Sequence, residues 1–213
     1  FISNPMEHAE ASKIALFSIA DYAWNMDAYK SDASWRRAVR YLMPGHAAAL
    51  QVFASHNSDL GGNEHDFRRE ESEQIRPALE RLLDAYCREG KREVAAASAV
   101  TEECERMIAS ADLLLASDEN PALIKEISPW LMQFKLLGEF GREVLCMLAA
   151  QCDGKKTELE KAASHAKALQ VLMKKIDATY NQNGFQPGVK TGSCHLKPAF
   201  DRLYQEVVQR TGK

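Results

Sequence analysis

The residues best suited to metal chemistry lie around a glycine-rich loop at residues 57–63. His56, Glu64, His65 and Asp66 all have side chains that can bind a divalent metal ion. Their spacing matches no HExxH-type motif, in which two histidines one helical turn apart face the same ion. A charged, exposed loop commonly contains such residues without binding metal. We therefore predict no metal site and no cofactor, and expect these side chains to be solvated.

One acidic cluster raises the possibility of paired-carboxylate catalysis, and a separate run of mixed charge follows the glycine-rich loop. Glu102, Glu103 and Glu105 are close in sequence, but adjacent residues point to different faces of a helix. The charges in the run Arg-Arg-Glu-Glu at residues 68–71 compensate one another, as is typical of a solvated helix start. The sequence also contains no GxSxG, P-loop, GxGxxG or Cys/His nucleophile arrangement. We predict solvated side chains in both groups and no catalytic residue in this chain.

One residue, Asn4, is placed to contact a ligand. Residues 1–3 suit a short strand, and Asn4-Pro5 with Glu7 is a strong helix start, with Asn4 as the N-cap. An asparagine at the carboxyl end of a strand would lie at the rim where α/β barrels hold their active sites. From the residues alone two roles stay open for Asn4, a plain helix cap and a polar ligand contact.

The predicted strand at residues 1–3 bears on the domain organisation. A single short strand is not stable without partners, and the rest of the sequence predicts no other strand. We therefore expect the chain to be a piece of a larger protein, cut at the last strand of an α/β domain. Residues 1–28 would be the C-terminal βα unit of a barrel, and residues 29–213 would form a helical bundle domain.

The remaining sequence predicts an all-α fold, a bundle of antiparallel helices. Apolar residues recur with helical spacing through most of the chain, and Gly, Pro and polar clusters separate the segments. The segment from Ile14 to Trp24 is apolar nearly all round, which fits a helix buried on most sides, as one packed against a barrel wall and a second domain would be. Helices are predicted over residues 5–24, from about 31 to Pro44, and over 47–56, 75–90, 100–115, 124–148 and 159–180, with a last one beginning at Pro198.

Aromatic side chains lie on several of these apolar stripes, and core packing is the favoured role. A surface that stacks sugars or peptides is the alternative role. The residues concerned are Trp24, Trp35, Trp130, Phe134, Phe140 and Tyr180.

The composition excludes several classes of function. The net charge of −3 and the isoelectric point near 6.1 give no overall attraction to nucleic acids or anionic membranes. No apolar run approaches the roughly 20 residues of a transmembrane helix. The five cysteines form no CxxC pair, so we expect buried or idle thiols, with a disulfide or a metal site as the alternatives.

Several sequence segments resemble bacterial family 84 glycoside hydrolases, the O-GlcNAcase-like β-N-acetylglucosaminidases that are often labelled hyaluronidases. The similarity spans nearly the whole chain, and its last motif is long and irregular. The segments are SNPME at 3–7, AEASKIA at 9–15, ADYAWN at 20–25, HNSDLG at 56–61, RREES at 68–72, PW at 129–130, QFK at 133–135, NQN at 181–183 and QPGVKT at 186–191.

The resemblance implies a retaining enzyme with a (β/α)8 barrel, a helical domain and a C-terminal β-rich module. Two adjacent aspartates would perform substrate-assisted hydrolysis through an oxazoline, an exception to the nucleophilic-carboxylate scheme. Both aspartates would precede this chain, so the chain alone would be inactive. Asn4 matches the asparagine at the end of the eighth strand, which hydrogen-bonds hydroxyls of the bound GlcNAc.

The implied partner is a GlcNAc-bearing glycoprotein or glycan, and the implied location is secreted or periplasmic. The helical domain would support the barrel and border the aglycone groove. The alternative, from another functional class, is an independent helical interaction or scaffold domain with no enzymatic role.

Overall fold

A computed structural model describes residues 8–57, 70–180 and 188–211, and all regular structure in these ranges is helical. The all-α prediction is therefore confirmed. The strand predicted at residues 1–3, Asn4 and the loop at 58–63 lie outside the described residues. The eight helices of the described ranges are α1 (Ala9–Trp24), α2 (Ser31–Leu42), α3 (Ala47–Ser55), α4 (Arg76–Glu89), α5 (Val94–Leu115), α6 (Pro121–Cys152), α7 (Lys156–Tyr180) and α8 (Leu196–Thr211).

The longest helix, α6, is the centre of the bundle. Its 32 residues span roughly 48 Å at 1.5 Å per residue, and it packs against α5, α7, α8 and α1. Short connections at residues 116–120 and 153–155 join α5, α6 and α7, as expected of antiparallel neighbours. The side chains of Leu131, Phe134 and Leu137 are fully buried along α6. This helix therefore supplies one wall to most of the core.

Two glycines of α6 allow its neighbours to approach closely. A Cβ at Gly138 would lie 3.0 Å from the backbone oxygen of Cys104 on α5. A Cβ at Gly141 would lie 2.6 Å from the ring of Phe200 on α8 and 2.8 Å from the sulfur of Cys104. Both separations are too short for ordinary packing, so only glycine fits at these positions without a shift of the neighbours.

The start of α6 shows a working Asn-Pro helix cap. The side-chain oxygen of Asn120 accepts a hydrogen bond from the backbone N–H of Leu123 at 3.1 Å, and Pro121 is the first helical residue. The amide nitrogen of Asn120 also donates to the carbonyl of Leu42 at 3.3 Å. Asn120 therefore both starts α6 and holds it against the end of α2.

The first helix begins later than predicted. Helix α1 starts at Ala9, and its N-cap is His8 in an extended conformation, so the predicted start at Pro5 is wrong. Asn4 itself, the predicted cap, lies outside the described residues. The carboxylate of Glu126 on α6 accepts hydrogen bonds from the backbone N–H groups of Glu10 at 2.8 Å and Ala11 at 3.1 Å. A distant acidic side chain thus performs the capping that the local Asn-Pro pattern predicts for Asn4.

Helix α1 is also less buried than predicted. None of its residues is buried, although Ala11 and Ile14 pack against the core. Trp24 is 92% exposed, so its predicted role in core packing is wrong for the described structure. Within the described ranges, the main packing partners of α1 are α2 and α6. The periodicity of α1 therefore indicates more burial than these neighbours provide.

The other aromatic residues follow the prediction to different degrees. Phe134 and Phe140 are fully buried, whereas Trp35 and Trp130 are half-buried against the core. Tyr180 is 38% exposed at the end of α7.

All five cysteines are free thiols, and Cys104 is the buried one. In the ranges that the structure covers, no helix is both long and apolar enough to cross a membrane.

Candidate functional site

A buried chain of hydrogen bonds joins three separate parts of the bundle. His56 follows the last turn of α3, Ser72 lies in the turn before α4, and Glu103 lies in the middle of α5. The Nδ1 atom of His56 lies 2.8 Å from Oγ of Ser72, and its Nε2 atom lies 2.7 Å from Oε1 of Glu103. Arg106, one turn after Glu103, pairs with the other oxygen of that carboxylate. Each polar side chain in this network therefore has a partner.

The backbone holds Ser72 in an unusual conformation. Its φ is +58°, in the left-handed region that a serine rarely adopts. Its backbone N–H donates to the carbonyl of Ser55 at the end of α3 at 3.0 Å. Its own carbonyl accepts from the N–H groups of Ile75 and Arg76 at 3.0 Å each, as α4 begins. These bonds offset the cost of the conformation and fix the hydroxyl towards His56.

The Ser72, His56 and Glu103 arrangement looks like a catalytic triad, but its geometry argues for a structural role. In a serine hydrolase the serine faces Nε2 of the histidine and the carboxylate faces Nδ1, the reverse of this arrangement. The three side chains are also 2%, 3% and 9% exposed. They line neither the cavity between α6, α7 and α8 nor the cavity beside Gln151 and Arg210. We conclude that the network ties α3, α4 and α5 together.

The charge on Glu103 is maintained by its partners. Burial acts to raise the pKa of this carboxyl, but the hydrogen bond and charge of His56 and the charge of Arg106 outweigh it. The net effect is a pKa below the ordinary value for glutamate. Glu103 is therefore ionised near neutral pH and accepts hydrogen bonds from both neighbours.

The predictions that Glu103 and His56 are solvated are wrong. Glu103 lies one turn from Val100 and from Met107, on the buried face of α5, so the helical spacing contains the relevant signal. Local sequence cannot show that His56, 47 positions away, is the partner of Glu103. The hydrogen bond from His56 offsets part of the free-energy cost of burying the carboxylate.

Glu71 is a second buried carboxylate, so the prediction from the sequence that it is solvated is wrong. It is fully buried, and it accepts backbone hydrogen bonds from Cys194 at 2.8 Å, His195 at 3.0 Å and Leu196 at 3.4 Å. These N–H groups lie at the start of α8, where a negative charge is favourable. Its neighbour Glu70 is exposed and pairs with Arg76, as predicted for a solvated residue. Glu71 therefore anchors α8 to the turn before α4.

A cavity of about 710 Å³ lies between α6, α7, the segment at residues 188–195 and α8. Its wall includes Gln133 and Phe140 of α6, Met173 and Asp177 of α7, and Thr191. The carboxylate of Asp177 accepts from the backbone N–H of Val189 at 2.9 Å, which holds the 188–191 segment over the cavity. A smaller cavity of about 440 Å³ lies between the end of α6 and the end of α8, beside Gln151 and Arg210.

The metal hypothesis gains no support from the described residues. Both ring nitrogens of His56 already face Ser72 and Glu103. Glu64, His65 and Asp66 lie outside the described residues. Within the ranges 8–57, 70–180 and 188–211, no three His, Cys, Asp or Glu side chains are grouped to hold a metal ion.

Asn4 lies outside the described residues, but the structure shows what surrounds the start of the helix that follows it. Glu126 of α6 caps α1, and the rings of His8 and Trp130 meet edge to face at 5.0 Å. The N-terminal end of α1 is therefore fixed against the first half of α6.

Comparisons with known families agree with this architecture. Residues 71–204 match the model described as "Bacterial GH84, post-catalytic domain", which is more than half of the chain. The chain belongs to the bacterial GH84 family. Residues 1–55 of this GH84 chain match a second model, described as "beta-N-acetylglucosaminidase". The family resemblance read from the sequence is therefore confirmed, while the predicted domain boundary at residues 28 and 29 stays a prediction.

Solved structures share this fold. The structure titled "Structure of CpGH84D" superposes with a TM-score of 0.82 at 27% identity, over 97% of this GH84 chain and 34% of the other. "Structure of CpGH84B" superposes with a TM-score of 0.78 at 20% identity, over 94% of this chain and 32% of the other. At this identity the match shows a shared fold. The chain thus spans about a third of the length of either structure.

Proposed function

We propose that this chain is part of a retaining β-N-acetylglucosaminidase that removes O-linked GlcNAc by substrate-assisted hydrolysis. The observation that carries the proposal is the match of residues 1–55 to the β-N-acetylglucosaminidase model, with the GH84 post-catalytic match after it at residues 71–204. Together these matches favour an enzyme over an independent helical scaffold. The substrate class would be a GlcNAc-bearing glycoprotein or glycan, met in a secreted or periplasmic setting.

We propose that the chemistry resides outside this chain. The family that the chain resembles performs substrate-assisted hydrolysis with two adjacent aspartates. The sequence of this chain contains no Asp-Asp pair. The triad-like network is buried and lacks access for a substrate. The chain would therefore supply structure and one substrate contact, and it would be inactive alone.

The helical bundle would support the last βα unit of the barrel. Two contacts favour this role, the Glu126 carboxylate on the first N–H groups of α1 and the packing of Trp130 against His8. Both act at the end of α1 that follows Asn4. We propose that they fix the direction of the chain where Asn4 hydrogen-bonds hydroxyls of the bound GlcNAc.

The test is an Asn4→Ala variant of the complete enzyme, assayed on an aryl β-GlcNAc. Loss of two hydrogen bonds to sugar hydroxyls should lower kcat/KM by about five- to a hundredfold. The melting temperature should stay near that of the wild type, because the carboxylate of Glu126 accepts hydrogen bonds from the first N–H groups of α1. Asn25→Ala, at the opposite end of α1, is the matched control and should leave kcat/KM unchanged. Equal kcat/KM for Asn4→Ala and wild type would remove Asn4 from the site.

A further inference from the structure

Charge is distributed unevenly over the bundle. Residues 161–180 and 188–197, which are most of α7 and the segment that leads into α8, contain six lysines and one aspartate. Their net charge is +5 with histidine neutral, and the whole chain has −3, so the remaining residues together carry −8. The small overall charge therefore conceals one strongly basic region. Such an asymmetry is typical of a surface that meets an anionic partner.

Most lysines of this basic region have no acidic partner. Five of them belong to exposed residues and form no ion pair or side-chain hydrogen bond within the described ranges: Lys161, Lys167, Lys174, Lys175 and Lys190. In contrast, six described lysines have a carboxylate oxygen within 4.0 Å of the ammonium group: Lys13, Lys91, Lys135, Lys155, Lys156 and Lys197. The positive charge along α7 is therefore not compensated locally.

Two large apolar side chains face water among these charges. Val171 is 60% exposed and Leu172 is 48% exposed. The helical neighbours of Val171, at positions i−4, i+3 and i+4, are Lys167, Lys174 and Lys175. We call these five residues the α7 basic face. An exposed apolar centre surrounded by uncompensated lysines is unfavourable in water alone and suits a partner that is both anionic and apolar.

The shape of this surface narrows the class of partner. Within the described ranges the main packing partner of α7 is α6, so the opposite side of α7 is uncovered. Lys161 to Lys175 extend over roughly 21 Å at 1.5 Å per residue. Neither Val171 nor Leu172 lines the cavity between α6, α7 and α8. Small molecules and peptides are usually bound in clefts and grooves, whereas this side of a straight helix is convex and suits a flat partner.

The residue types narrow it further. The charges of the α7 basic face are all lysines. Arginine is the usual residue for bidentate recognition of a single carboxylate or phosphate, whereas lysine is a point charge on a flexible stem. Single-stranded nucleic acids are commonly bound by aromatic stacking, which the five residues of this face do not provide. The face therefore suits a surface of many anionic groups that are not recognised one by one.

We propose that the α7 basic face docks on an anionic lipid bilayer. The ammonium groups of Lys167, Lys174 and Lys175 lie at the lipid phosphates, and Val171 and Leu172 enter the headgroup region. Clusters of lysines on an amphipathic helix bind acidic lipids in this way, and each lysine strengthens binding about fivefold. The contact is peripheral, and the proposal does not rest on the glycosidase activity proposed above.

Co-sedimentation of the chain with lipid vesicles tests the proposal. The probes are vesicles of phosphatidylcholine with about 30% phosphatidylglycerol and vesicles of phosphatidylcholine alone. We expect saturable binding to the anionic vesicles and none to the neutral ones. Binding to the anionic vesicles should be lost at about 0.5 M NaCl, because salt screens the attraction between the lysines and the lipid phosphates.

A triple variant locates the binding surface. Lys167→Gln, Lys174→Gln and Lys175→Gln together should weaken binding to the anionic vesicles by roughly a hundredfold, from about fivefold for each lysine. All three residues are exposed and without partners in the described ranges, so the triple variant should keep the wild-type circular dichroism spectrum and melting temperature.

Two further variants separate local charge, net charge and apolar insertion. The combination of Lys13→Gln, Lys91→Gln and Lys135→Gln changes the net charge equally but removes lysines that pair with carboxylates elsewhere. This matched control should bind within a few-fold of the wild type. Val171→Ser with Leu172→Ser keeps the charges and should weaken binding several-fold, because the apolar side chains no longer enter the headgroup region.

Several outcomes would overturn the proposal. Absence of binding to the anionic vesicles, or equal binding to the neutral ones, would contradict it directly. Equal binding by the wild type and the triple lysine variant would place the contact on another surface. If duplex DNA or polyglutamate binds and the anionic vesicles do not, the partner is a nucleic acid or an acidic protein. Lipid-free dimers that the triple variant abolishes would make it a second copy of this chain.

Discussion

At the residue scale, single carboxylates hold together parts of the chain that are far apart in sequence. Glu71 joins the turn before α4 to the start of α8, more than a hundred residues later. Glu103 joins α5 to the end of α3 through His56. Each is buried with partners for its oxygens, which is the condition under which a buried charge is tolerated.

The substitution Glu71→Ala should strongly destabilise the fold. It leaves three backbone N–H groups at the start of α8 without their acceptor and removes a favourable charge there. We expect a loss of about 2–4 kcal/mol in the free energy of unfolding, measured by denaturant titration. The adjacent exposed variant Glu70→Ala is the control and should change it by at most about 0.5–1 kcal/mol. Similar effects of the two substitutions would contradict the anchoring role.

Glu103 should make the stability depend on pH in acid. Its pKa is lowered in the folded chain, so its contribution is present above the ordinary glutamate value of about 4.3. That contribution is lost as the pH falls through the lowered folded-state pKa. Urea titrations at several pH values should show a smaller acid dependence for Glu103→Gln than for wild type. Glu102→Gln, exposed on the same helix, should keep the wild-type dependence.

The Asn-Pro helix starts show what a local pattern can predict about a residue. The same pair occurs at residues 4–5 and 120–121. At Asn120 it starts α6 with the expected hydrogen bond, whereas α1 begins at Ala9 and Glu126 accepts its first N–H groups. Propensity identifies residues that can cap, but a tertiary contact decides which one does. The buried roles of Glu71, His56 and Glu103 depend on such distant partners in the same way.

At the element scale, periodicity predicts much of the fold. Helices α2 to α8 agree with the predicted segments to within a few residues at most ends, because each has an apolar face and clear end signals. The largest differences are the starts of α1 and α5 and the end of α6. Helix ends are the least constrained by periodicity, since the apolar face does not specify them.

The contact between α6 and α8 should not tolerate a side chain at Gly141. Gly141→Ala would place a Cβ at 2.6 Å from the Phe200 ring, and we expect a loss of about 1–3 kcal/mol in the free energy of unfolding. Phe200→Leu alone should also destabilise the bundle. In the double variant the two losses should not add, because the smaller residue relieves the clash. Simple additivity in thermal or denaturant unfolding would mean that Gly141 and Phe200 are not in contact.

Helix α1 should be the least protected helix of the described chain. It has no buried residue, whereas α5 and α6 are buried along most of their length. Amide hydrogen exchange of the isolated chain should therefore be faster in Ala9–Trp24 than in α5 and α6. Uniformly slow exchange across α1 and the bundle would instead show that α1 belongs to the same cooperative unit.

At the scale of the whole molecule, the sequence resemblance predicts the GH84 family correctly, and the helical periodicity predicts the all-α bundle. It does not predict the cavity, because Gln133 and Thr191 come from separate segments and only tertiary packing places both on one wall. In the function that we propose, the bundle has a supporting role and the hydrolysis of β-GlcNAc takes place elsewhere in the enzyme.

The most direct test of that assignment is an activity measurement on residues 1–213 alone. The purified chain, shown to be helical by circular dichroism, is incubated with an aryl β-GlcNAc, in parallel with the complete enzyme. We predict no hydrolysis by the chain and hydrolysis by the complete enzyme, since the chain has no adjacent aspartates and its triad-like network is buried. Hydrolysis that copurifies with the chain and is abolished by Ser72→Ala or Glu103→Gln would contradict the account.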